Sequence, residues 1–422
     1  MSETNAQAAR EELMAVASKR KPSVIVAGGG IGGLAAALGL ANKGCAVTVL
    51  EQADRFGEIG AGIQIGPNAF HAMDYLGIGD AGRARAVYID ALIMMDGLSG
   101  EEVFRGPVDA PFRQYFGNPY AVIHRADLHN AFFEACRVHP AITLVNRERV
   151  IAYKNTDDSA LVRTESGKVY EADAVIAADG VRSKMREQMT GGGGTDPMRL
   201  SGHVAYRAVL PLEQMPEDLR WNAATLWAGP KCHMVHYPLQ GWRTFNLVAT
   251  FVTDQENVGS NEPGKREEVL DRFAHIVPRA RKLLEVPNEW RRWVLGDRDP
   301  IANWTDGRVT LLGDAAHPTY QYFAQGACMA MEDAVCLADK FETLGADFPA
   351  VFAAYQGERI PRAYRVVLNS RELGRIYHAD GVERLVRNAW LKNKTPEQFY
   401  SSMHWLYGGN GLVGAGRQRT AA

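Results

Sequence analysis

Disulfide chemistry is the first thing this sequence has little material for. Its five cysteines, Cys45, Cys136, Cys232, Cys328 and Cys336, are an odd number with no C-x-x-C spacing. That argues against a disulfide framework and a zinc site, so no metal is expected, and it suits a reducing cytoplasm. Charge of one sign is also lacking: 47 Lys and Arg face 49 Asp and Glu, and no field draws the chain to nucleic acid or to an anionic membrane. Long apolar runs are scarce. Residues 23–41 carry no charge, but glycines interrupt the stretch, and a membrane span is not expected there. Residues 1–21, with Arg10, Glu11, Glu12, Lys19 and Arg20, lack the apolar centre of a secretory signal and read as a loosely attached extension.

What is present begins at residue 23. The string SVIVAGGGIGGLAAALGLANKGCAVTVLE contains a β-branched strand (23–27), then Gly28, Gly30 and Gly33 at G-x-G-x-x-G spacing, then a helix of small apolar residues (34–42). Gly44 closes that helix, and a second strand (46–50) ends on Glu51. Gly28 permits a tight turn, Gly30 lets backbone approach a pyrophosphate, and Gly33 lets helix pack on strand. The phosphates fall at the helix N-terminus, and an acid about 20 residues on accepts from a ribose diol. The whole unit is a dinucleotide-binding βαβ pattern; a glycine-rich turn with no ligand is the plainer alternative.

At 422 residues the chain has room for two or three domains. No internal repeat is visible. Residues 67–75 read as a helix with proline in its first turn, 92–104 and 121–124 as strands, 125–137 as a helix, and 143–177 as short strands separated by turns. Gly191–Gly194 marks a boundary. Residues 202–253 read as an antiparallel sheet, 264–284 as a helix, 309–312 as a buried strand, and 327–341, 348–373 and 380–407 as helical. The expected architecture is therefore α/β: a Rossmann-like nucleotide domain made of 22–200 and 302–346, an inserted antiparallel-sheet substrate domain at 201–301, and a C-terminal helical region at 347–422.

Two further segments, AADGVRS (177–183) and LLGDAAHP (311–318), each follow an apolar strand and open toward a helix. That is the carboxyl edge where ligands lie in open α/β sheets. Together with G-x-G-x-x-G they form an ordered set of three motifs. With them the chain resembles the single-component FAD-dependent aromatic hydroxylases of the p-hydroxybenzoate hydroxylase type, from residue 23 to the last helices. The strings GEIGAGIQIGPNA, HRADLH, KCHMVHYPL and GDAAHPTYQYFAQGACMAMEDA are similar to members that convert 3-hydroxybenzoate to 2,5-dihydroxybenzoate (gentisate).

The resemblance implies bound FAD, NADH or NADPH as reductant, and O2, with oxygen transferred through a flavin C4a-hydroperoxide. It implies that Glu51 holds the adenosine ribose and that Arg125 reaches the pyrophosphate or ribityl chain. Asp179 and Arg182 would serve FAD and the pyridine nucleotide, Asp314 the ribityl chain, and Pro318 would lie over the flavin. Gly326 and Ala327 would offer backbone N–H groups to the flavin pyrimidine. Each has a plainer reading: Asp179 as a turn cap, Arg125 as a surface residue beside Asp127, Asp314 as an N-cap. Only one βαβ nucleotide unit is visible, so NAD(P)H is expected to visit a groove rather than a fold of its own.

Hydroxylation by an electrophilic oxygen needs an electron-rich ring, hence a group that takes the phenol proton. In the strand 232–237, period two places His233, Val235 and Tyr237 on one face and His236 on the other. The resemblance selects His233 as the base, Tyr237 as its hydrogen-bonding neighbour and Gln321 as a partner for a polar substrate group, with Tyr120 completing the pocket. Arg207 is a candidate clamp for substrate or NAD(P)H. A small aromatic acid is the expected partner, and the helical tail suggests a homodimer. Alternatives kept open are a decarboxylating salicylate or 6-hydroxynicotinate hydroxylase, a non-hydroxylating FAD-binding protein, and an NAD-dependent dehydrogenase.

Overall fold

The computed structural model describes residues 20–57, 60–192, 194–254 and 260–408. The expected extension, apart from its last two residues, falls outside these, as do Gly193 of the glycine loop and the end of the helical region.

The first strand, Ser23–Ala27, lies at the centre of a six-stranded sheet. It pairs in parallel with Ala46–Leu50 on one side and Ala174–Ala177 on the other. Ile142–Val145 and Val309–Leu311 extend the parallel set, and Thr305–Asp306 closes one edge as an antiparallel hairpin. Strands buried on both faces read as continuous apolar runs, which is how VIVA and AVIA present themselves. The helix Ile31–Asn42 starts a turn earlier than its sequence suggests and is buried almost all round. It lies between this sheet and the helix Gly326–Leu344. A Cβ on Gly32 would stand 3.0 Å from Ala330 Cβ, and one on Gly39 3.2 Å from Ala338 Cβ, so the small residues set how close the two helices come.

A second sheet has eight strands, in the order Ser260–Gly264, Trp290–Asp297, Arg199–Pro211, Thr244–Val252, Cys232–Leu239, Ala223–Gly229, Ala91–Asp96 and Glu102–Pro107. Its last two strands come from the stretch assigned by sequence to the nucleotide unit. The run read there as one strand, 92–104, is a hairpin, and Ala91–Asp96 joins Ala223–Gly229 in parallel. The sheet is thus mixed at that edge and antiparallel elsewhere. The helix expected over 264–284 is two, Arg266–Arg272 and Pro278–Glu285. Proline lacks an N–H and suits a first turn, so Pro278 begins a new helix. These two helices cover one face of the sheet, against Met234, Leu247, Phe251 and Trp227.

The other face looks toward the GD-motif loop and the helix Phe348–Tyr377, which runs 30 residues through Pro361. Two further helices follow, Gly381–Lys392 and Pro396–Tyr407.

Candidate active site

One half of the site is the carboxyl edge of the six-stranded sheet. Gly28 takes φ +115°, and a Cβ there would meet the Ala178 carbonyl oxygen at 2.3 Å. A Cβ on Gly33 would meet the Gly28 carbonyl oxygen at 2.0 Å. Gly30 stands at the N-cap of Ile31–Asn42, where no side chain caps the helix. Glu51 closes the second strand; its carboxylate accepts from Gly29 N at 2.7 Å and from Ala53 N at 2.8 Å, which holds the acid beside the glycine turn. Asp179 follows the strand Ala174–Ala177 and accepts from Lys184 N at 2.9 Å. It therefore binds the first amides of the helix Lys184–Met189 rather than capping a turn before Gly180, and it stands beside the glycine turn: a Cβ on Gly28 would be 3.3 Å from Asp179 N. Burial raises its carboxyl pKa, against the opposing hydrogen bonds.

The GD loop supplies the next surface. Asp314 is exposed, and a Cβ on Gly326 would lie 3.9 Å from its Oδ1. Gly326 and Ala327 begin the helix Gly326–Leu344, again without a side-chain cap, so first-turn amides remain available to an electronegative group. Arg125 is the first residue of the helix Arg125–Val138, and its N donates to Ala61 O. Arg182 is exposed.

A buried charge cluster ties this loop down. His317 Nε2 lies 2.6 Å from Asp333 Oδ2, which also accepts from Gly313 N at 3.0 Å. Arg359 donates to Asp333 and to Glu332, both at 2.7 Å. Burial alone would raise the Asp333 carboxyl; His317 and Arg359 outweigh it and hold it at about 2. Pro318 is buried next to this cluster.

The other half is the face of the eight-stranded sheet that looks toward the GD-motif loop. His233, Val235 and Tyr237 share that face, and His236 points into the opposite layer, where it accepts from Trp227 Nε1 at 3.3 Å. The alternation read from sequence holds. His233 is 2% exposed and pairs across the sheet with Thr250. Burial, then the neighbouring His203, lower its imidazole to about 3, so it stays neutral with a lone pair at pH 7. Gln321 bridges two strands: its Oε1 accepts from Arg207 Nη2 at 2.7 Å and its Nε2 donates to Thr250 Oγ1 at 2.9 Å. Arg207 Nε is buried with no hydrogen-bond partner among the described residues, and its guanidinium lies over the Trp293 ring at 5.2 Å. Burial lowers the Arg207 pKa, with Tyr237 acting against it and Arg125 with it. Tyr237 is buried, and a Cβ on Gly62 would meet its ring at 2.5 Å. Tyr120 donates to Gln64 Oε1 at 2.7 Å and packs near Tyr407.

A family described as FAD binding domain matches residues 21–370. The chain belongs to that family. It is 52% identical to the 3-hydroxybenzoate 6-hydroxylase of Polaromonas naphthalenivorans (strain CJ2), over 92% of this chain and 96% of that protein. It is 49% identical to the 3-hydroxybenzoate 6-hydroxylase of Klebsiella oxytoca, over 91% and 96%. The crystal structure of Klebsiella pneumoniae HpxO complexed with FAD and uric acid superimposes with a TM-score of 0.82 at 26% identity, covering 92% of this chain and 97% of that one. This protein is an FAD-dependent aromatic-ring monooxygenase.

In this flavoprotein Gly28, Gly30, Gly33, Glu51 and Asp179 gather at one sheet edge and Asp314, Gly326 and Ala327 at the GD loop, with two uncapped helix N-termini and a glycine turn that a Cβ would fill. They fit the group. No helix among the described residues is long and apolar enough to cross a membrane, and no metal-ligand cluster occurs among them. Sequence reasoning missed Thr250, His203, His378, Tyr322 and the Asp333–Arg359 pair. Thr250 carried no signal, since its importance comes only from cross-strand register. His203 shares the parity of Arg207 on one strand, a clue that period two offers.

Proposed function

We propose that this monooxygenase hydroxylates 3-hydroxybenzoate para to its phenol, giving 2,5-dihydroxybenzoate, with NADH as reductant and O2 as oxygen source. The names borne by its relatives support the substrate. The observation that carries the reading is the sheet face on which a buried neutral imidazole, His233, accompanies a half-buried Arg207 whose buried Nε is unused. A phenol carboxylic acid needs one of each.

His233 Nε2 takes the phenol proton, and the phenolate so formed is the electron-rich ring that electrophilic oxygen attacks. Tyr237 bonds the phenolic oxygen. Arg207, held by Gln321, grips the carboxylate; a charge-assisted pair of this kind is bidentate and directional. Gln321 in turn is fixed by Thr250. Tyr120 and Pro318 wall the pocket and keep water out.

Gly28, Gly30, Gly33, Glu51, Arg125, Asp179, Asp314, Gly326 and Ala327 would hold FAD, which supplies redox and oxygen-activating chemistry when bound. The amides at Gly326 and Ala327 favour negative charge on the flavin ring. Arg182, exposed beside the DG turn, receives the pyridine nucleotide. The assignment of Arg207 to substrate rather than to NAD(P)H rests on its bond to Gln321. A cytoplasmic location suits five free cysteines among the described residues. Pairing into a homodimer would use the helix Gly381–Lys392, where Val382, Leu385, Val386 and Trp390 are exposed; light scattering reads the mass directly.

The test is a panel of hydroxybenzoates with NADH, following oxygen uptake and product by chromatography. Gentisate formed in step with NADH is the expected result. Loss of the carboxyl carbon from the product would assign decarboxylating chemistry instead.

A further inference from the structure

His233 does not stand alone. Its Nδ1 lies 2.7 Å from His378 Nε2. His378 Nδ1 lies 3.1 Å from His203 Nε2. His203 Nδ1 lies 2.8 Å from the Tyr322 hydroxyl. The four rings come from four places in the chain: two strands of the large sheet, the GD-motif loop, and the end of the helix Phe348–Tyr377. The direction is the same at every link, each Nδ1 meeting the next group outward. His233 is buried, whereas His378 and His203 are both partly exposed. The chain therefore runs from the buried His233 through two partly exposed rings to the buried Tyr322 hydroxyl, which meets the partly exposed Ser201. The nitrogen spacings are hydrogen-bond lengths, too short to hold a metal between the rings, and no such cluster occurs among the described residues.

A buried base that accepts a phenol proton must lose it before the next turnover, and water excluded from the pocket cannot collect it. We propose that His378 and His203 carry the substrate's phenolic proton from His233 to solvent, and return a proton to the product. This rests on the reading of His233 as the phenol's base.

In the starting state each imidazole is neutral with its proton on Nδ1. The phenol O–H bond breaks and a bond to His233 Nε2 forms. The His233 Nδ1 proton moves to His378 Nε2, that of His378 Nδ1 to His203 Nε2, and that of His203 Nδ1 passes to the Tyr322 oxygen, whose own proton leaves to water by way of the partly exposed Ser201 hydroxyl, which takes it and gives up its own. One proton leaves the phenol, one enters solvent, and no group is oxidised or reduced. The reverse passage protonates the product phenolate and restores each tautomer. Burial keeps all three rings hard to protonate, so no fixed imidazolium blocks the path. His378 and His203 touch no substrate in this account; they act through His233.

The experiment uses oxidised, FAD-loaded protein without oxygen, mixed rapidly with 3-hydroxybenzoate. Ultraviolet absorption reports the bound phenolate and an indicator dye reports the proton released to bulk. His378→Gln and His203→Gln keep polar groups at the two positions but cannot pass a proton by exchanging tautomers. Both should slow phenolate formation and proton release at least tenfold. The dissociation constant for 3-hydroxybenzoate should stay within about threefold and the flavin spectrum should be unchanged. Added imidazole should restore part of the rate, which a purely structural role would not allow. Should one variant fail to hold flavin, the other decides. Parent-like rates in both outer variants, with His233→Gln alone defective, would overturn the relay and leave His233 as base. No phenolate signal in the parent protein would overturn both.

Discussion

Gln321 joins Arg207 and Thr250 by two hydrogen bonds, 2.7 and 2.9 Å long, and so links the GD-motif loop to two neighbouring strands of the large sheet. The amide settles the direction of the guanidinium while leaving Arg207 Nε without a partner among the described residues. Neither residue's role is evident until the other is placed.

Replacing Arg207 by Leu removes the proposed carboxylate grip. A hydrogen bond to a charged group contributes about 1.5–3 kcal/mol, so KM for 3-hydroxybenzoate should rise roughly ten- to a hundredfold. A phenol without a carboxyl group should be affected far less. Steady-state kinetics on the two substrates checks it; equal losses on both would remove Arg207 from carboxylate binding.

The glycine turn makes a steric prediction. Gly33→Val places side-chain carbon where the Gly28 carbonyl oxygen stands, 2.0 Å from the first added atom. Helix and strand must part, and the phosphate cradle between them with them. The variant should purify without yellow colour and fail to regain flavin absorption on incubation with FAD. A variant with full flavin content would show that the turn has slack the structure lacks.

Much of this half of the molecule was legible in sequence, for an identifiable reason. The βαβ unit is local: two strands, three glycines and an acid lie within about 30 residues, and each is demanded by backbone geometry. The alternation of His233, Val235 and Tyr237 was likewise a matter of period two along one strand. The rest depended on long-range pairing. Residues 91–107 look like any strand, and nothing local tells which sheet they join. His378 sits 145 residues from His233 and comes to it only through the packing of a 30-residue helix end. Asp179 showed the opposite limit: its cap on Lys184 N is local, while its place beside Gly28 comes from the sheet.

The buried cluster behind the GD loop sets a stability prediction. Asp333→Asn leaves Arg359 and His317 without their shared carboxylate. Breaking a buried ion pair by removing one partner costs about 3–5 kcal/mol. The denaturant midpoint should fall accordingly, and flavin should dissociate more readily because the single amide oxygen of Asn cannot accept from both Gly313 N and Arg359. An unchanged midpoint would mean that the cluster is not under the strain of burial.

Acid should weaken the fold through its histidines. Burial lowers His233 and His236 to about 3 and His203 to about 4, whereas the unfolded chain titrates near 6.5. Between those values the unfolded state binds more protons, so stability is full above about pH 6.5 and declines as pH falls. Each group can contribute up to about 1.4 kcal/mol per pH unit. His236 lies off the pocket, so His236→Leu isolates the effect: its unfolding free energy should depend less on pH between 6.5 and 4 than that of the parent. An identical slope would place His236 in a more polar setting than the structure does.

The proposed hydroxylation depends on His233 to make the ring reactive. The direct test is His233→Ala, assayed with 3-hydroxybenzoate, NADH and oxygen, for the ratio of hydroxylated product to NADH consumed and for hydrogen peroxide. We expect NADH oxidation to continue with flavin in place, product per NADH to fall at least tenfold, and peroxide to account for the difference. Near-parent coupled turnover in that variant would contradict the claim.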